Sequence, residues 1–434
     1  MAQPEIASDR ASLRARWYTE SFYSERTCID AFVDAATVHA QAPIVFASHQ
    51  NETCHTVGRI HAAAMSVAAG LQRLGVRAGD SVAVQLTNRL ECALAYQAVL
   101  LTGAVLVPIV HIYGMAEVEF IVSQSRAKAL IMPARHRSTS YVDRIPRLSQ
   151  LPGLDHIVVV DAMQPDHGGL DWSQIAADRR DYVAPPAVGA DEVCVLLYTS
   201  GTVSAPKGVQ HSHNSLLAEQ ATLPGLLGDG PDDVHLVSFP AGHVGGMNSM
   251  LRPMIAGTVG KEVGDRAEAA GIAAFRCYGM TEHPTVTSAC VDDPLAIRMG
   301  TDGVPMRGCA VRIVNAEGID QPAGVDGEVV VQGPDQFIGY QDRALDADAF
   351  TADGWLRTGD LGRLDSEGRL TITDRIKDVI IRGGETISSG QIEDVLDAHP
   401  AVAEAVAVAA PDPRYGEVVA AVVVLRIGAT TSPY

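Results

Sequence analysis

The sequence predicts an α/β fold: a large N-terminal domain of layered α/β subdomains with mainly parallel sheets, plus a small α+β C-terminal domain. Three observations carry this. Strand-like and helix-like runs alternate through the first 160 residues, the pattern of a parallel sheet covered by helices. The chain has 434 residues, 47% hydrophobic and 20% charged, enough for a large core and roughly two or three domains. Beyond residue 375, one helical run is followed by two β-rich runs, a module of its own.

Taken in order, residues 1–26 are polar, with Arg10, Arg14 and Arg16 beside Trp17 and Tyr18, and read as a loosely docked lead-in. Thr27–Ala36 and Gly58–Leu74 carry helical spacing. Thr56 caps the second and Gly75 ends it. Ser81–Gln85 is a strand, Asn88 opens a helix over Glu91–Leu101, and Gly103 breaks it. Ala104–Val110 is the next strand. Glu117–Ser125 is a helix, then Ala129–Met132 and Ile157–Val160 are strands. Near the end, Ser388 and Gln391 form a capping box for a helix over Ile392–Ala398. Ala401–Ala409 and Val418–Leu425 are the β-rich runs.

Net charge is −19, which argues against a nucleic-acid backbone or an anionic membrane as partner. The most apolar run, Cys92–Val110, contains Gln97, Gly103 and Pro108 and changes period midway, so it reads as buried helix then buried strand rather than an integral membrane segment. The seven cysteines are scattered with no CxxC pair. They read as reduced, mostly packed thiols of a cytoplasmic protein, with no zinc site. The N-terminus lacks a signal h-region. Only four lysines exist, Lys128, Lys207, Lys261 and Lys377, so lysine chemistry has few candidates.

The stretch that organises the chain is Tyr198-Thr-Ser-Gly-Thr-Val-Ser-Ala-Pro-Lys-Gly208. An apolar, β-prone run, Val193–Tyr198, empties into a loop with Thr199, Ser200, Gly201, Thr202 and Ser204, then Lys207. Glycine lets backbone approach, hydroxyls and N–H groups donate to phosphate oxygens, and lysine supplies a point charge. The loop ends Pro-Lys-Gly, so it is not a Walker A loop. Alone, such a cluster is usually a solvated turn. Three further motifs follow: Ser238-Phe-Pro-Ala-Gly-His-Val-Gly-Gly246 with His243 and Gly245, Arg276-Cys-Tyr-Gly-Met-Thr-Glu282, and Gly354-Trp-Leu-Arg-Thr-Gly-Asp360. A fourth, Thr373–Glu385, holds Arg375, Lys377, Gly383, Gly384 and Glu385. Each alone has a bland reading as loop, turn or charged hairpin. Tyr278 can stack on adenine, Thr281 can donate to a phosphate, and Glu282 can offer oxygen to Mg²⁺.

In this order the motifs resemble the adenylate-forming superfamily, and specifically its AMP-forming acyl-CoA synthetases. Their phosphate loop reads Tyr-Thr-Ser-Gly-Thr-Thr-Gly-x-Pro-Lys-Gly; here Val203 and Ser204 replace the second Thr and the Gly. The resemblance implies Lys207, Thr281 and Glu282 as catalytic residues, with Glu282 also the metal ligand. It implies Thr199, Ser200, Gly201, Thr202, Ser204, Tyr278, Gly279, Asp360 and Arg375 as nucleotide-binding, Asp360 on the ribose hydroxyls. His243 and Gly245 would line the acyl pocket, Lys377 would be the hinge, and Gly383, Gly384 and Glu385 the CoA tunnel. The implied substrates are ATP, coenzyme A and a carboxylic acid, fatty or cyclic, with Mg²⁺ as cofactor. The implied domains are residues 1–374 and a partial domain 375–434.

Two departures stand out. No lysine follows Lys377, whereas the family's small domain carries a late adenylation lysine. Lys207 and Glu282 are also closer in sequence than in the family, so a segment is expected to be missing near 257–265. The expected function is ATP-dependent conversion of an acid to acyl-AMP and then acyl-CoA. The alternative is a shortened, impaired relative that at most binds nucleotide. A third reading, a peptide-synthetase adenylation module or acyl-AMP ligase, is disfavoured because no carrier-type Gly-Gly-x-Ser motif follows.

Overall fold

The structure is a computed structural model. It describes residues 3–47, 52–162, 168–186, 188–199, 206–227, 237–256, 275–376, 380–382, 385–387, 389–426 and 428. The chain forms two compact units. The first comprises Met1–Ala274, Tyr278–Val286 and Gly333–Asp348; the second comprises Phe275–Cys277, Thr287–Gln332 and Ala349–Tyr434.

The first unit is built on an eight-stranded sheet. Ser81–Val84 pairs in parallel with Val105–Pro108 and Ala127–Pro133, and the latter with His156–Val160. Apart from the half-buried Ser81, Lys128 and His156 these strands are apolar, and most of their residues are buried, as in strands covered on both faces. Val193–Tyr198 joins this parallel set beside Val105–Pro108. The sheet then turns antiparallel: Gly208–Ser212 returns along Val193–Tyr198, and the short strand Gly339–Tyr340 closes that edge. The alternation in the sequence thus yields the expected parallel sheet, while its antiparallel edge carries Lys207 and Tyr340.

Local chemistry explains the helices. Thr27 and Asp30 form a capping box that starts the helix Cys28–Val38. Thr56 caps Val57–Arg73 through Arg59 N–H, and Gly75 leaves in the left-handed region at φ 86°. The helix Leu90–Leu101 begins at Arg89 with no side-chain cap. Asn88, expected to open it, instead accepts from Ala241 N–H and donates to the Phe239 carbonyl. The lead-in also differs from expectation. Gln3–Thr19 is a helix, seated by Trp17 and Tyr23, whose rings lie 5.1 Å apart. Tyr23 donates to the Pro334 carbonyl at 2.8 Å and Arg10 to that of Ile338 at 2.6 Å. Cys28, Cys92 and Cys194 are buried thiols; Cys54 and Cys277 are exposed.

The second unit contains an antiparallel sheet ordered Ala310–Val314, Gly327–Gln332, Leu356–Leu364, Leu370–Arg375. A second sheet pairs Val402–Asp412 with Gly416–Leu425, and sets Ile380–Arg382 against Glu385–Ile387. The helix Ser389–Asp397 lies beside it, with Glu393 accepting from Ala407 N–H at 2.9 Å. This is the α+β module the terminal β-rich runs indicate. Among the described residues, no helix is long and apolar enough to cross a membrane.

Candidate active site

In the first unit, Tyr198 sits opposite Gly208, and Thr199 N–H donates to the Lys207 carbonyl at 3.1 Å. These contacts close the neck of the phosphate loop and place Lys207 at the start of the return strand. Ser200, Gly201, Thr202 and Ser204 lie outside the described residues, as do Lys377, Gly383, Gly384 and the 257–265 junction. Glu385 is described as strand backbone, opposite Arg382.

Lys207 Nζ stands 5.2 Å from the centroid of the Tyr340 ring, a cation–π distance. The phenol of Tyr340 donates to Glu282 Oε1 at 2.8 Å. Burial, then the Glu282 charge, push the Tyr340 phenol well above its ordinary value, so it stays a proton donor. Two predicted catalytic residues, Lys207 and Glu282, therefore meet on a third that sequence reasoning missed. Its signal was the run Gly333-Pro-Asp-Gln-Phe-Ile-Gly-Tyr340, turn residues followed by an aromatic.

The Thr281–Glu282 turn is held tightly. Phe337 N–H donates to the Glu282 carbonyl at 2.7 Å. His211 Nε2 lies 2.8 Å from the Thr281 carbonyl and Nδ1 lies 3.3 Å from Ser215 Oγ. A carbonyl only accepts, so Nε2 carries the proton and donates. Burial holds His211 down to about 4, so it is neutral near pH 7. Gly279 has a steric reason: a Cβ there would stand 1.9 Å from the Pro284 carbonyl oxygen. Tyr278 precedes it, half-buried. The turn offers Thr281 and a hard carboxylate oxygen on Glu282, a donor chemistry that fits Mg²⁺.

His243 heads the helix Val244–Ala256, its carbonyl accepting from Met247 N–H at 2.8 Å. Burial lowers its pKa, favouring neutral imidazole. Its loop is fastened by Tyr96, which donates to the Ala241 carbonyl at 2.8 Å. A Cβ on Gly242 would come within 2.5 Å of Val110 backbone, whereas one on Gly245 would meet nothing within 4 Å. Gly245 borders open space.

In the second unit, Asp360 and Arg375 are directly opposed in the antiparallel ladder, and Arg375 Nε pairs with Asp360 Oδ1 at 2.9 Å. Asp360 is buried and Arg375 exposed. Gly359 adopts φ 74°, which favours glycine, and turns Asp360 inward after Thr358. The Thr358 hydroxyl donates to the Val329 carbonyl and accepts from Asp360 N–H. Asp302, also missed in the sequence, is buried and accepts from Arg276 and from Ile372 N–H at 2.8 Å.

A strand-to-loop neck with its lysine, a Thr-Glu turn and a His loop lie in one unit on a largely parallel sheet, the arrangement the sequence motifs of a nucleotide-dependent activating enzyme lead one to expect. Residues 32–260 and 255–341 match the family of AMP-binding enzymes, and 391–433 match the AMP-binding enzyme C-terminal domain. The medium-chain fatty-acid–CoA ligase of Escherichia coli is 30% identical over 474 residues, covering 95% of this chain and 83% of that protein. A feruloyl-CoA synthase of Amycolatopsis sp is 29% identical, covering 88% of this chain and 86% of that protein. Among solved structures, ATP-bound MatB from Rhodopseudomonas palustris superposes with a TM-score of 0.79 at 24% identity, over 94% of this chain and 90% of that one. The anthranilate CoA ligase AuaEII with anthranoyl-AMP gives 0.81 at 22%, over 94% and 88%. These two show the shared fold. The chain belongs to the AMP-binding enzymes, as an AMP-forming acyl-CoA synthetase of the adenylate-forming superfamily.

Proposed function

We propose that the Lys207–Tyr340–Glu282 constellation is the adenylation centre of an acid–CoA ligase acting on a fatty or cyclic carboxylic acid. The observation that carries this is the meeting of lysine and glutamate on one tyrosine beside the phosphate-loop neck. In the first half-reaction a carboxylate oxygen attacks the α-phosphorus of ATP, forming acyl-AMP and releasing pyrophosphate. Lys207 offsets the charge that builds on the phosphate oxygens, and Thr281 donates to the α-phosphate. Glu282 would hold Mg²⁺, which when bound neutralises pyrophosphate charge. In the second half-reaction the coenzyme A sulfur attacks the acyl carbonyl and AMP leaves.

The nucleotide assignment extends to Tyr278 and Gly279 on adenine and to Asp360 with Arg375 on the ribose. His243 and Gly245 line the acyl pocket. Lys377 is the hinge between residues 1–374 and 375–434, with Gly383, Gly384 and Glu385 along the CoA path. Seven scattered cysteines with no CxxC pair support a cytoplasmic setting.

The family match falls in two stretches that meet at 255–260. The alignment with the Escherichia coli ligase runs over 474 positions, more than the 434 of this chain. Both support an internal shortening near 257–265. They also favour a second reading, a shortened, impaired relative that at most binds nucleotide. Carboxylate-dependent ATP–pyrophosphate exchange across short, long and cyclic acids separates the two. Exchange lost by ~10²–10³-fold in Lys207→Ala supports the ligase reading; no exchange with any acid, from folded protein, supports the second.

A further inference from the structure

Behind the Thr281–Glu282 turn lies a buried polar cluster that the adenylation chemistry does not use. Glu219 comes from the helix His213–Leu227, and Asp335 from the segment leading to Tyr340. Both residues are buried, each 3% exposed. They face His283 and Thr285 of the strand that follows the turn. Asp335 Oδ2 lies 3.2 Å from His283 Nδ1 and accepts from Thr285 N–H at 3.2 Å. Glu219 Oε1 accepts from the Thr285 hydroxyl at 2.7 Å.

We propose that Asp335 and Glu219 are positioning residues for adenylation, clamping His283 and Thr285 so that Thr281 and Glu282 keep their place. This rests on the adenylation centre argued above. The geometry is two-sided. The segment that carries Asp335 also supplies Phe337 N–H to the Glu282 carbonyl and the Tyr340 hydroxyl to its carboxylate. One short stretch, 335–340, therefore grips Glu282 directly and grips the strand His283–Ser288 behind it. His211 fixes the preceding carbonyl, on Thr281. Every peptide from 281 to 285 is then within one residue of a contact to a buried side chain or to this stretch.

Burying two carboxyl groups together is costly unless one is neutral and both are hydrogen-bonded. Burial, then the Asp335 charge, push Glu219 well above its ordinary value. Burial acts on Asp335 in the same sense, but His283 and hydrogen bonds outweigh it and hold Asp335 below its ordinary value. The division of labour follows: Asp335 is the anion that orients His283, and Glu219 is the neutral partner that receives the Thr285 hydroxyl. Such a pair is poorly replaced by a single apolar side chain, since Thr285 and His283 would each lose a partner in the interior.

The test compares Asp335→Asn, Glu219→Gln and Glu219→Ala with the parent chain in two measurements. The first is amide hydrogen exchange of the peptide spanning 281–287, which needs no turnover. Asp335→Asn and Glu219→Ala are expected to exchange ~10-fold faster there, with the rest of the sheet unchanged; Glu219→Gln, which copies the neutral acid, stays at the parent rate. The second is ATP–pyrophosphate exchange. There kcat falls ~10²-fold in Asp335→Asn while KM for ATP moves little, because the misplacement is felt in the transition state; Glu219→Gln remains active. Unchanged protection in both Asp335→Asn and Glu219→Ala overturns the clamp. Lost protection with full kcat overturns its role in adenylation. A parent chain without turnover but with the expected protection pattern strikes the adenylation reading and leaves the clamp standing.

Discussion

Tyr340 donates its phenolic proton to Glu282 Oε1 at 2.8 Å, while its ring faces Lys207 Nζ at 5.2 Å. One aromatic side chain thus spaces the proposed metal-binding carboxylate from the proposed phosphate-binding ammonium. Tyr340→Phe keeps the ring and removes the hydroxyl. A hydrogen bond to a charged group contributes about 1.5–3 kcal/mol. We expect kcat/KM for ATP to fall ~10-fold or more, with a higher Mg²⁺ requirement. A Mg²⁺ titration of pyrophosphate exchange measures this, and identical titrations would show that the hydroxyl is idle.

Asp360 and Arg375 face each other across the ladder, with the carboxylate buried. If Asp360 accepts the ribose hydroxyls, Asp360→Ala should raise KM for ATP by ~10²-fold, the range expected for two charge-assisted hydrogen bonds. The sharper readout is 2′-deoxy-ATP. The parent should discriminate against it and Asp360→Ala should not. Equal discrimination by both proteins would remove Asp360 from the ribose.

Gly279 leaves 1.9 Å for a Cβ before the Pro284 carbonyl. The obstacle is backbone, so Gly279→Ala must open the turn that carries Thr281 and Glu282. Overpacking of this kind costs about 1–3 kcal/mol. Thermal melting should drop by several degrees and exchange activity should fall further than the melting shift explains. Gly245→Ala, which meets nothing within 4 Å, is the matched control for stability.

His211 is buried and held down to about 4, against about 6.5 for a free histidine. Between these values the unfolded chain binds a proton that the folded chain refuses. Stability therefore falls as pH drops from about 6.5 towards 4, by on the order of 3 kcal/mol in total, and is fully restored above about 7. Denaturant unfolding across this window checks the sign. His211→Gln preserves a donor near the Nε2 position without titrating, and should flatten that part of the profile.

Much of the site was legible because its motifs are local. The Pro-Lys-Gly return, the Gly279 turn and the Thr358-Gly359-Asp360 bend are each forced by neighbours a few residues away. What escaped is non-local. The turn-rich run before Tyr340 does not specify that this residue pairs with Val209 at a sheet edge. The helix Gln3–Thr19 lacks a clear apolar stripe; Trp17 and Tyr23 form its seat, and Tyr23 reaches Pro334 far along the chain. Asn88 looked like a helix cap because capping and loop-clamping use the same amide, and only the fold decides between them. His211 and Glu219 stand outside every motif, and only their burial in the fold sets them apart.

The antiparallel edge of the large sheet also dictates when the Lys207–Tyr340–Glu282 constellation can assemble. The amide of Gln210 hydrogen-bonds Gln341 across 131 positions of sequence. A nascent chain leaving the ribosome can assemble the parallel strands early, since their partners are close in sequence. It cannot complete the centre until Tyr340 has emerged, long after Lys207. Until then Gly208–Ser212 is an unprotected strand edge, open to pairing with another chain. Newly made molecules are most prone to mispair in that interval, and the last-arriving strand both seals the edge and delivers the phenol.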